Sequence, residues 1–171
     1  GVSAELIADK WGLTRDDLDR FALRSQNNAA RATQEGRFER EILPILDAEG
    51  NLMTTDEGIR ASSMESLGAL KPVFRSEEEG GRVTAGNSSQ ITDGSSATLI
   101  MSETKAKQLG LKPRARFVNF ALAGDDARMM LTAPIPATKK VLERAGMTID
   151  QMDLIEINEA FASVILAWEK E

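Results

Sequence analysis

Apolar and small residues recur every three or four positions in several stretches of the chain, which is the spacing of one helix face. The clearest run extends over residues 18–32. Thr14 and Asp17 precede it at the spacing of a capping box, which satisfies free backbone N–H groups of a first helical turn. The pattern predicts this helix and shorter ones at residues 4–11 (with Ser3 as its cap), 103–110, 134–145 and 159–171.

Continuous apolar runs alternate with these helices in the second half of the chain. Residues 97–101, 116–123 and 153–157 are typical of buried strands. Residues 42–46 alternate like an edge strand that tolerates proline. The stretch 47–81 is rich in glycine and charge, and we expect loops there. We therefore predict an α/β fold whose strands are buried between helices.

Composition removes several classes of function. The net charge is −6, which argues against a nucleic-acid partner because such binding depends on basic patches. No apolar run approaches the roughly 20 residues that a membrane span needs. The chain contains no cysteine, histidine or tyrosine, so it offers no thiolate nucleophile, no imidazole base and no Cys/His metal site. Because the sequence opens at Gly1 rather than at Met, we expect the native start to be missing, and targeting cannot be inferred.

Two segments carry candidate chemistry. Residues 84–97 are small and polar, so that a ligand could approach their backbone N–H groups, although no P-loop or G-x-G-x-x-G motif is present. The alternative is a tight loop that leads into a strand. Residues 156–162 lie where a strand becomes a helix, which is where α/β sheets bind ligands. Asn158 could donate a hydrogen bond there, or it could simply cap the helix. A third candidate, Arg60, is a lone loop cation that could equally be solvated.

These segments together resemble the thiolase family. The sequence T-A-G-N-S-S-Q-I-T-D-G at 84–94 is similar to the loop before the last strand of the first thiolase core half, and N-E-A-F-A at 158–162 is similar to the N-E-A-F motif. D-E-G-I-R at 56–60 and L-K-P-V-F at 70–74 resemble the loop domain that covers the substrate. The resemblance extends over nearly the whole chain. It implies part of a five-layer α-β-α-β-α fold, with 1–82 in the loop domain, 83–111 ending the first core half and 112–171 beginning the second.

The resemblance also implies a reaction. Thiolases carry out a Claisen condensation of acetyl-CoA or its reverse, the thiolysis of a 3-ketoacyl-CoA. They use a nucleophilic Cys, a His in a G-H-P motif and a second Cys in a C-x-G-G-G motif. We expect the nucleophilic Cys to precede Gly1, and the His and the second Cys to follow Glu171. The 171 residues would then be an internal piece that is inactive alone and stable only with the rest of the protein or a partner copy.

Site residues follow from the same resemblance. Asn158 matches the family Asn that holds a water in an oxyanion hole, and Ser89 matches the residue that hydrogen-bonds the pantetheine arm of CoA. Other matched positions lie along that arm: Ala85, Phe74, Ala160 and Phe161. Ser66 and Arg60 match residues near the nucleotide end of CoA, although the spacing from Arg60 to Phe74 is one residue shorter than in biosynthetic thiolases.

The spellings D-E-G-I-R, G-N-S-S-Q and E-I-N-E-A-F are similar to degradative 3-ketoacyl-CoA thiolases of fatty-acid β-oxidation. A biosynthetic acetoacetyl-CoA thiolase is the nearer alternative, and a non-catalytic CoA-binding or assembly module is the more distant one. Two related families are disfavoured by the N-E-A-F motif. Ketoacyl synthases have His where Asn158 stands, and the thiolase-like sterol-carrier group has an altered form of this motif. The resemblance implies CoA and acyl-CoA as substrates without a permanently bound cofactor or metal. It also implies a homodimer or homotetramer, cytoplasmic if the source is bacterial.

Overall fold

The computed structural model describes residues 1–171 and consists mainly of helices joined by long irregular segments. The helices are α1 (Val2–Lys10), α2 (Arg15–Gln34), α3 (Met64–Gly68), α4 (Glu103–Gln108), α5 (Pro134–Ala145) and α6 (Ala162–Glu169). Two short strands, β1 (Ile45–Leu46) and β2 (Leu52–Met53), pair antiparallel, with Ile45 opposite Met53 and Leu46 opposite Leu52. Single 3-10 turns occur at Ala85–Asn87, Met130–Thr132 and Ile149–Gln151.

Local signals set the ends of the best-defined helices. At the start of α2, the Thr14 hydroxyl accepts from the Asp17 N–H while the Asp17 carboxylate accepts from the Thr14 N–H, which confirms the predicted capping box. The hydrogen bonds from Thr14 lower the pKa of Asp17 below its usual range. Helix α5 begins with Pro134, whose missing N–H costs nothing in a first turn. It ends at Gly146, whose φ of 64° is the left-handed conformation that glycine adopts freely.

Other helix boundaries differ from the prediction. Helix α1 begins at Val2 after Gly1, so Ser3 lies inside the helix and does not cap it. Helix α6 begins at Ala162 and its N-cap residue is Phe161, three residues later than predicted. The first boundary differs because α1 begins two residues before the predicted start and so includes Ser3. The second boundary differs because residues 160 and 161 pair with residues 88 and 89 instead of continuing the helix.

The core lies where α1, α2 and α6 pack against one another. Its buried apolar residues come from these three helices, together with Leu13 and Val83 from the connecting segments. Ile7 and Leu18 are wholly inaccessible to solvent. Burying an aliphatic side chain of this size stabilises a fold by about 1.5–3 kcal/mol. The first two helices and the last one are therefore brought together, although more than a hundred residues separate them.

The three segments predicted as buried strands do not form a sheet here. The only paired strands in the structure are β1 and β2, and residues 97–101, 116–123 and 153–157 contain no strand. Most of their large apolar side chains are exposed, such as Leu99 by 77%, Phe120 by 76% and Leu154 by 94%, whereas Ile157 packs against the core. Strand formation requires a neighbouring strand to which the backbone can hydrogen-bond, and none of these segments has such a neighbour in the structure.

Helix α5 binds the segment 116–123 through backbone carbonyl groups of that segment. Lys140 Nζ donates to the carbonyl of Leu122 at 2.9 Å, and the Arg144 guanidinium donates to the carbonyl of Phe120 at 3.2 Å. The predicted strand thus lies beside a helix, while its apolar side chains lack a cover. None of the helices combines the length and apolar character that a membrane crossing requires.

We expect the isolated 171-residue chain to self-associate, because exposed apolar segments with unpaired backbone groups are sites of aggregation. Sedimentation velocity and urea denaturation of the purified chain would measure this directly. The expected result is a distribution of large species without a cooperative unfolding transition. A monodisperse monomer that unfolds cooperatively would contradict the expectation.

Candidate functional site

The segment that leads into the candidate site loop is held by a buried carboxylate. Glu5 in α1 is fully buried, and its carboxylate accepts hydrogen bonds from two consecutive backbone N–H groups. These bonds come from Arg82 at 2.9 and 3.1 Å and from Val83 at 2.8 Å. A carboxylate is tolerated in such a place only when it is hydrogen-bonded. Residues 82 and 83 therefore lie against α1.

A second buried carboxylate, Asp19 of α2, fixes the loop from the other side. It is 2% exposed and accepts from the Asn87 side-chain amide at 2.8 Å and from the Arg15 guanidinium at 2.7 Å. The same guanidinium donates to the carbonyls of Leu67 at 2.6 Å and Leu70 at 2.9 Å. Asp19 thus connects α2, the candidate loop and the C-terminal end of α3.

Asn87 shapes the turn within the loop. Its amide oxygen accepts from the Thr84 N–H at 2.9 Å, while its amide nitrogen also donates to the carbonyl of Arg82 at 3.0 Å. The Thr84 hydroxyl accepts from the Gly86 N–H at 3.1 Å. These bonds close the 3-10 turn Ala85–Asn87, so the segment does form a tight loop, although no strand follows it. They also direct the next residues toward the C-terminal motif.

Residues 88 and 89 pair with the N-E-A-F segment. Ser88 and Phe161 form an isolated antiparallel bridge, and the Ser89 N–H donates to the carbonyl of Ala160 at 2.9 Å. From α2, the Ser25 hydroxyl donates to the Glu159 carboxylate at 2.6 Å. The segment that carries Asn158 is therefore held between the candidate loop and α2. Asn158 does not cap α6, so that alternative is wrong.

A cleft of about 180 Å³ lies between these three parts of the chain. Ser89 and Asn158 both line it. The other lining residues come from α2, from the loop and from the start of α6: Phe21, Ala22, Ser25, Gln26, Gly86, Asn87, Ser88, Gln90, Glu159 and Ala162. The side chain of Asn158 is exposed and makes no hydrogen bond within the chain, so its amide is available to a ligand or a water.

Apolar residues gather on another side of the same segment. The rings of Phe74 and Phe161 meet edge to face, with centroids 6.2 Å apart and planes at 81°. The Phe74 ring lies against Gly1, where an added Cβ would fall 2.1 Å from the ring. Ala160 adjoins Phe161, and Ala85 stands at the start of the 3-10 turn. The structure thus brings most of the residues matched to the pantetheine arm into one neighbourhood.

The two residues matched to the nucleotide end lie outside the cleft. Ser66 occupies the capping box of α3, where its hydroxyl donates to the Ser63 carbonyl at 3.0 Å and accepts from the Ser63 N–H at 2.9 Å. The Arg60 side chain is exposed, and its backbone N–H donates to Gln26 at 3.0 Å. No group of three or more acidic, histidine or cysteine side chains in the structure could hold a metal ion.

Several residues that organise the site were missed at the sequence level. Glu5 and Asp19 stand in helices where a charged side chain normally faces solvent, and nothing in the local pattern marks them as buried. Gln26 and Gln90 were given no role of their own, because side-chain bonds to distant backbone groups leave no periodic signal. Glu159 was quoted only as part of a motif.

Two family models together match almost all of the chain. The one described as "Thiolase, N-terminal domain" matches residues 1–104, and the one described as "Thiolase, C-terminal domain" matches residues 111–171. The chain is 51% identical over 168 residues to a 3-ketoacyl-CoA thiolase of Psychrobacter sp. (strain PRwf-1), covering 95% of this chain and 43% of that protein. It is 46% identical over 170 residues to an acetyl-CoA acetyltransferase of Syntrophomonas wolfei subsp. wolfei, covering 98% and 42%.

The fold matches solved structures equally well. Against human mitochondrial 3-ketoacyl-CoA thiolase in complex with CoA, the TM-score is 0.92 at 38% identity, covering 99% of this chain and 42% of that one. This similarity confirms the predicted fold class. The chain spans less than half the length of the relatives it matches.

Replacing Asn87 should release the candidate loop. In the whole protein, Asn87→Ala is expected to lower the free energy of unfolding by about 3 kcal/mol, because a buried N–H and a buried carboxylate each lose a partner. Urea denaturation measures this. The matched control is Asn27→Ala, an exposed asparagine of α2, which should change stability by no more than about 0.5 kcal/mol. Equal effects of the two substitutions would contradict the role assigned to Asn87.

Proposed function

The chain belongs to the thiolase family, and on that premise we propose that it contributes part of the acyl-CoA site of an acyltransferase. The reaction is the thiolysis of a 3-ketoacyl-CoA, or its reverse, the Claisen condensation of acetyl-CoA. One observation carries the proposal: Ser89 and Asn158, which are matched to the pantetheine arm and to the oxyanion hole, line one cleft. We propose the division 1–82, 83–111 and 112–171 for the loop domain and the two core halves.

In thiolysis, a cysteine thiolate attacks the 3-keto carbon of the substrate and the bond between C2 and C3 breaks. The electron pair of that bond passes to the acetyl-CoA fragment, whose thioester oxygen becomes an enolate oxygen until C2 takes up a proton. CoA thiol then accepts the acyl group from the cysteine. The sequence has no cysteine and no histidine, so we propose that these groups come from parts of the protein outside the 171 residues.

Asn158 has the chemistry to stabilise the enolate. Its amide N–H groups have no partner within the chain and could hold a water, or the thioester oxygen itself, by hydrogen bonding. A fixed donor is worth most where negative charge develops during the reaction. The bonds at Ser25, Ser89 and their partners in 159–160 keep this part of the backbone in position, which favours preorganisation.

The remaining assignments follow the shape of a CoA molecule. We propose that the Ser89 hydroxyl bonds the pantetheine arm, that the paired rings of Phe74 and Phe161 form an apolar wall beside it, and that Ala85 and Ala160 leave room for it. Ser66 and Arg60 are assigned to the nucleotide end. Arg60 is the better supported of the two, because its guanidinium is free of ion pairs whereas the Ser66 hydroxyl is engaged in a cap.

We favour a degradative 3-ketoacyl-CoA thiolase over a biosynthetic acetoacetyl-CoA thiolase. The identity of 51% to a relative with the former name, against 46% to an acetyl-CoA acetyltransferase, supports this choice. The whole protein is then a homodimer or homotetramer. Comparing thiolysis of acetoacetyl-CoA with that of a longer 3-ketoacyl-CoA distinguishes the two candidates, since only the degradative enzyme should prefer the longer chain.

Substitution of Asn158 tests the assigned chemistry. In the whole protein, Asn158→Ala is expected to lower kcat for thiolysis about 100-fold, because one lost oxyanion-hole donor costs about 3 kcal/mol of barrier. KM should stay within about twofold, since the donor acts mainly in the transition state. The rate is measured as the CoA-dependent disappearance of the 3-ketoacyl-CoA.

The control is Asn27→Ala on the exposed face of α2, which should leave kcat unchanged. A whole protein that binds CoA but shows no thiolysis or condensation would favour the non-catalytic CoA-binding module instead. If Asn158→Ala turns over as fast as the unmodified protein, the oxyanion role is wrong.

A further inference from the structure

The segment 56–60 lies beside two residues that line the cleft and has no backbone–backbone hydrogen bond of its own. Side chains hold it instead. The Asp56 carboxylate accepts from the Gly58 N–H at 2.7 Å, which closes a local turn. The Gln90 amide nitrogen donates to the Gly58 carbonyl, and the Gln26 amide oxygen accepts from the Arg60 N–H at 3.0 Å. We call residues 56–60 the strap.

The two glutamines reach the strap from two different parts of the chain that line the cleft. Gln26 projects from α2 and Gln90 from the candidate loop, and both line the cleft that Ser89 and Asn158 share. The fit at Gly58 is close: a Cβ added there would fall 2.2 Å from the Gln90 amide oxygen. Gly58 therefore lets the Gln90 side chain reach the strap backbone, which a larger residue would obstruct.

Arg60 ends the strap with an unengaged cation. Its guanidinium makes no ion pair or hydrogen bond in the structure, whereas Arg15, Arg75 and Arg82 are all paired with carboxylates. In a chain of net charge −6, a free guanidinium is suited to a phosphate, which it can bind through two parallel N–H groups. The bond from its backbone N–H to Gln26 limits where this side chain can reach.

We infer that Gln26 and Gln90 are positioning residues that clasp the strap across the cleft and so hold Arg60 for the phosphate-bearing nucleotide end of a CoA substrate. This inference rests on the proposed function. Gln90 follows Ser89 directly, so one short loop fixes both the residue assigned to the pantetheine arm and the clasp of the strap. The spacing between the two ends of the CoA site is then set by adjacent residues.

The test separates the two ends of CoA chemically. In the whole protein, thiolysis is measured with CoA and, separately, with pantetheine as the acceptor thiol, because pantetheine lacks the nucleotide. Gln26→Leu and Gln90→Leu are each expected to raise KM for CoA about fivefold, which corresponds to one lost hydrogen bond. The KM for pantetheine and both kcat values should remain unchanged.

The direction of each hydrogen bond gives a sharper check. Gln26→Glu retains the oxygen that accepts from Arg60 N–H, so it should keep the KM of the unmodified protein for CoA. Gln90→Glu loses the N–H donor and should behave like Gln90→Leu. Gln26→Leu combined with Arg60→Ala should be no worse than Arg60→Ala alone, since both act through the same guanidinium. Gln34→Leu, an exposed glutamine at the end of α2, is the matched control.

Equal losses with CoA and with pantetheine would overturn the inference, since they would show a general structural effect. Calorimetric titration with CoA and with pantetheine, on the same variants, keeps the inference separate from the proposed function. A protein that binds CoA without turnover refutes the proposed reaction, and the inference is then decided by the same split in dissociation constants. A protein that binds neither thiol overturns both.

Discussion

Two carboxylates, on Glu5 and Asp19, lie inside the protein, and the position of the candidate site follows from the need to hydrogen-bond them. A buried carboxylate without partners would cost several kcal/mol, so each one confines the groups that satisfy it. For Glu5 these are two backbone N–H groups at residues 82 and 83. For Asp19 they are the side chains of Asn87 and Arg15. The loop that begins at residue 82 has little freedom to lie elsewhere.

From this loop the arrangement extends in both directions. The loop pairs through Ser88 and Ser89 with residues 160 and 161, which lead into α6 and the core. Through Gln90 it also reaches the strap. The polar network is thus continuous with the apolar packing of α1, α2 and α6. The residues assigned to the pantetheine arm, to the enolate oxygen and to the nucleotide end of CoA belong to one connected unit.

Local features of this protein were predictable from its sequence and distant ones were not. The capping box of Thr14 and Asp17 and the helix between Pro134 and Gly146 depend on residues a turn apart, and both predictions were confirmed. The apolar runs at 97–101, 116–123 and 153–157 indicated burial, but strand formation depends on neighbours that the pattern does not specify. The resemblance to a family brought Ser89 and Asn158 to attention together, and they line one cleft. Glu5 and Asp19 were not foreseen, because their partners lie 77 and 68 residues away.

Hydrogen exchange of the native protein tests most directly whether the buried carboxylates hold the site loop. Amide exchange is followed by mass spectrometry in peptides that cover 82–84 and 91–96, in the unmodified whole protein and in Glu5→Gln. The account predicts slow exchange at 82–84, comparable to α2, and rapid exchange at 91–96, where no backbone hydrogen bond occurs. It also predicts that Glu5→Gln accelerates exchange at 82–84 while α5 stays unchanged. Exchange at 82–84 as fast as at 91–96 in the unmodified protein would contradict the account.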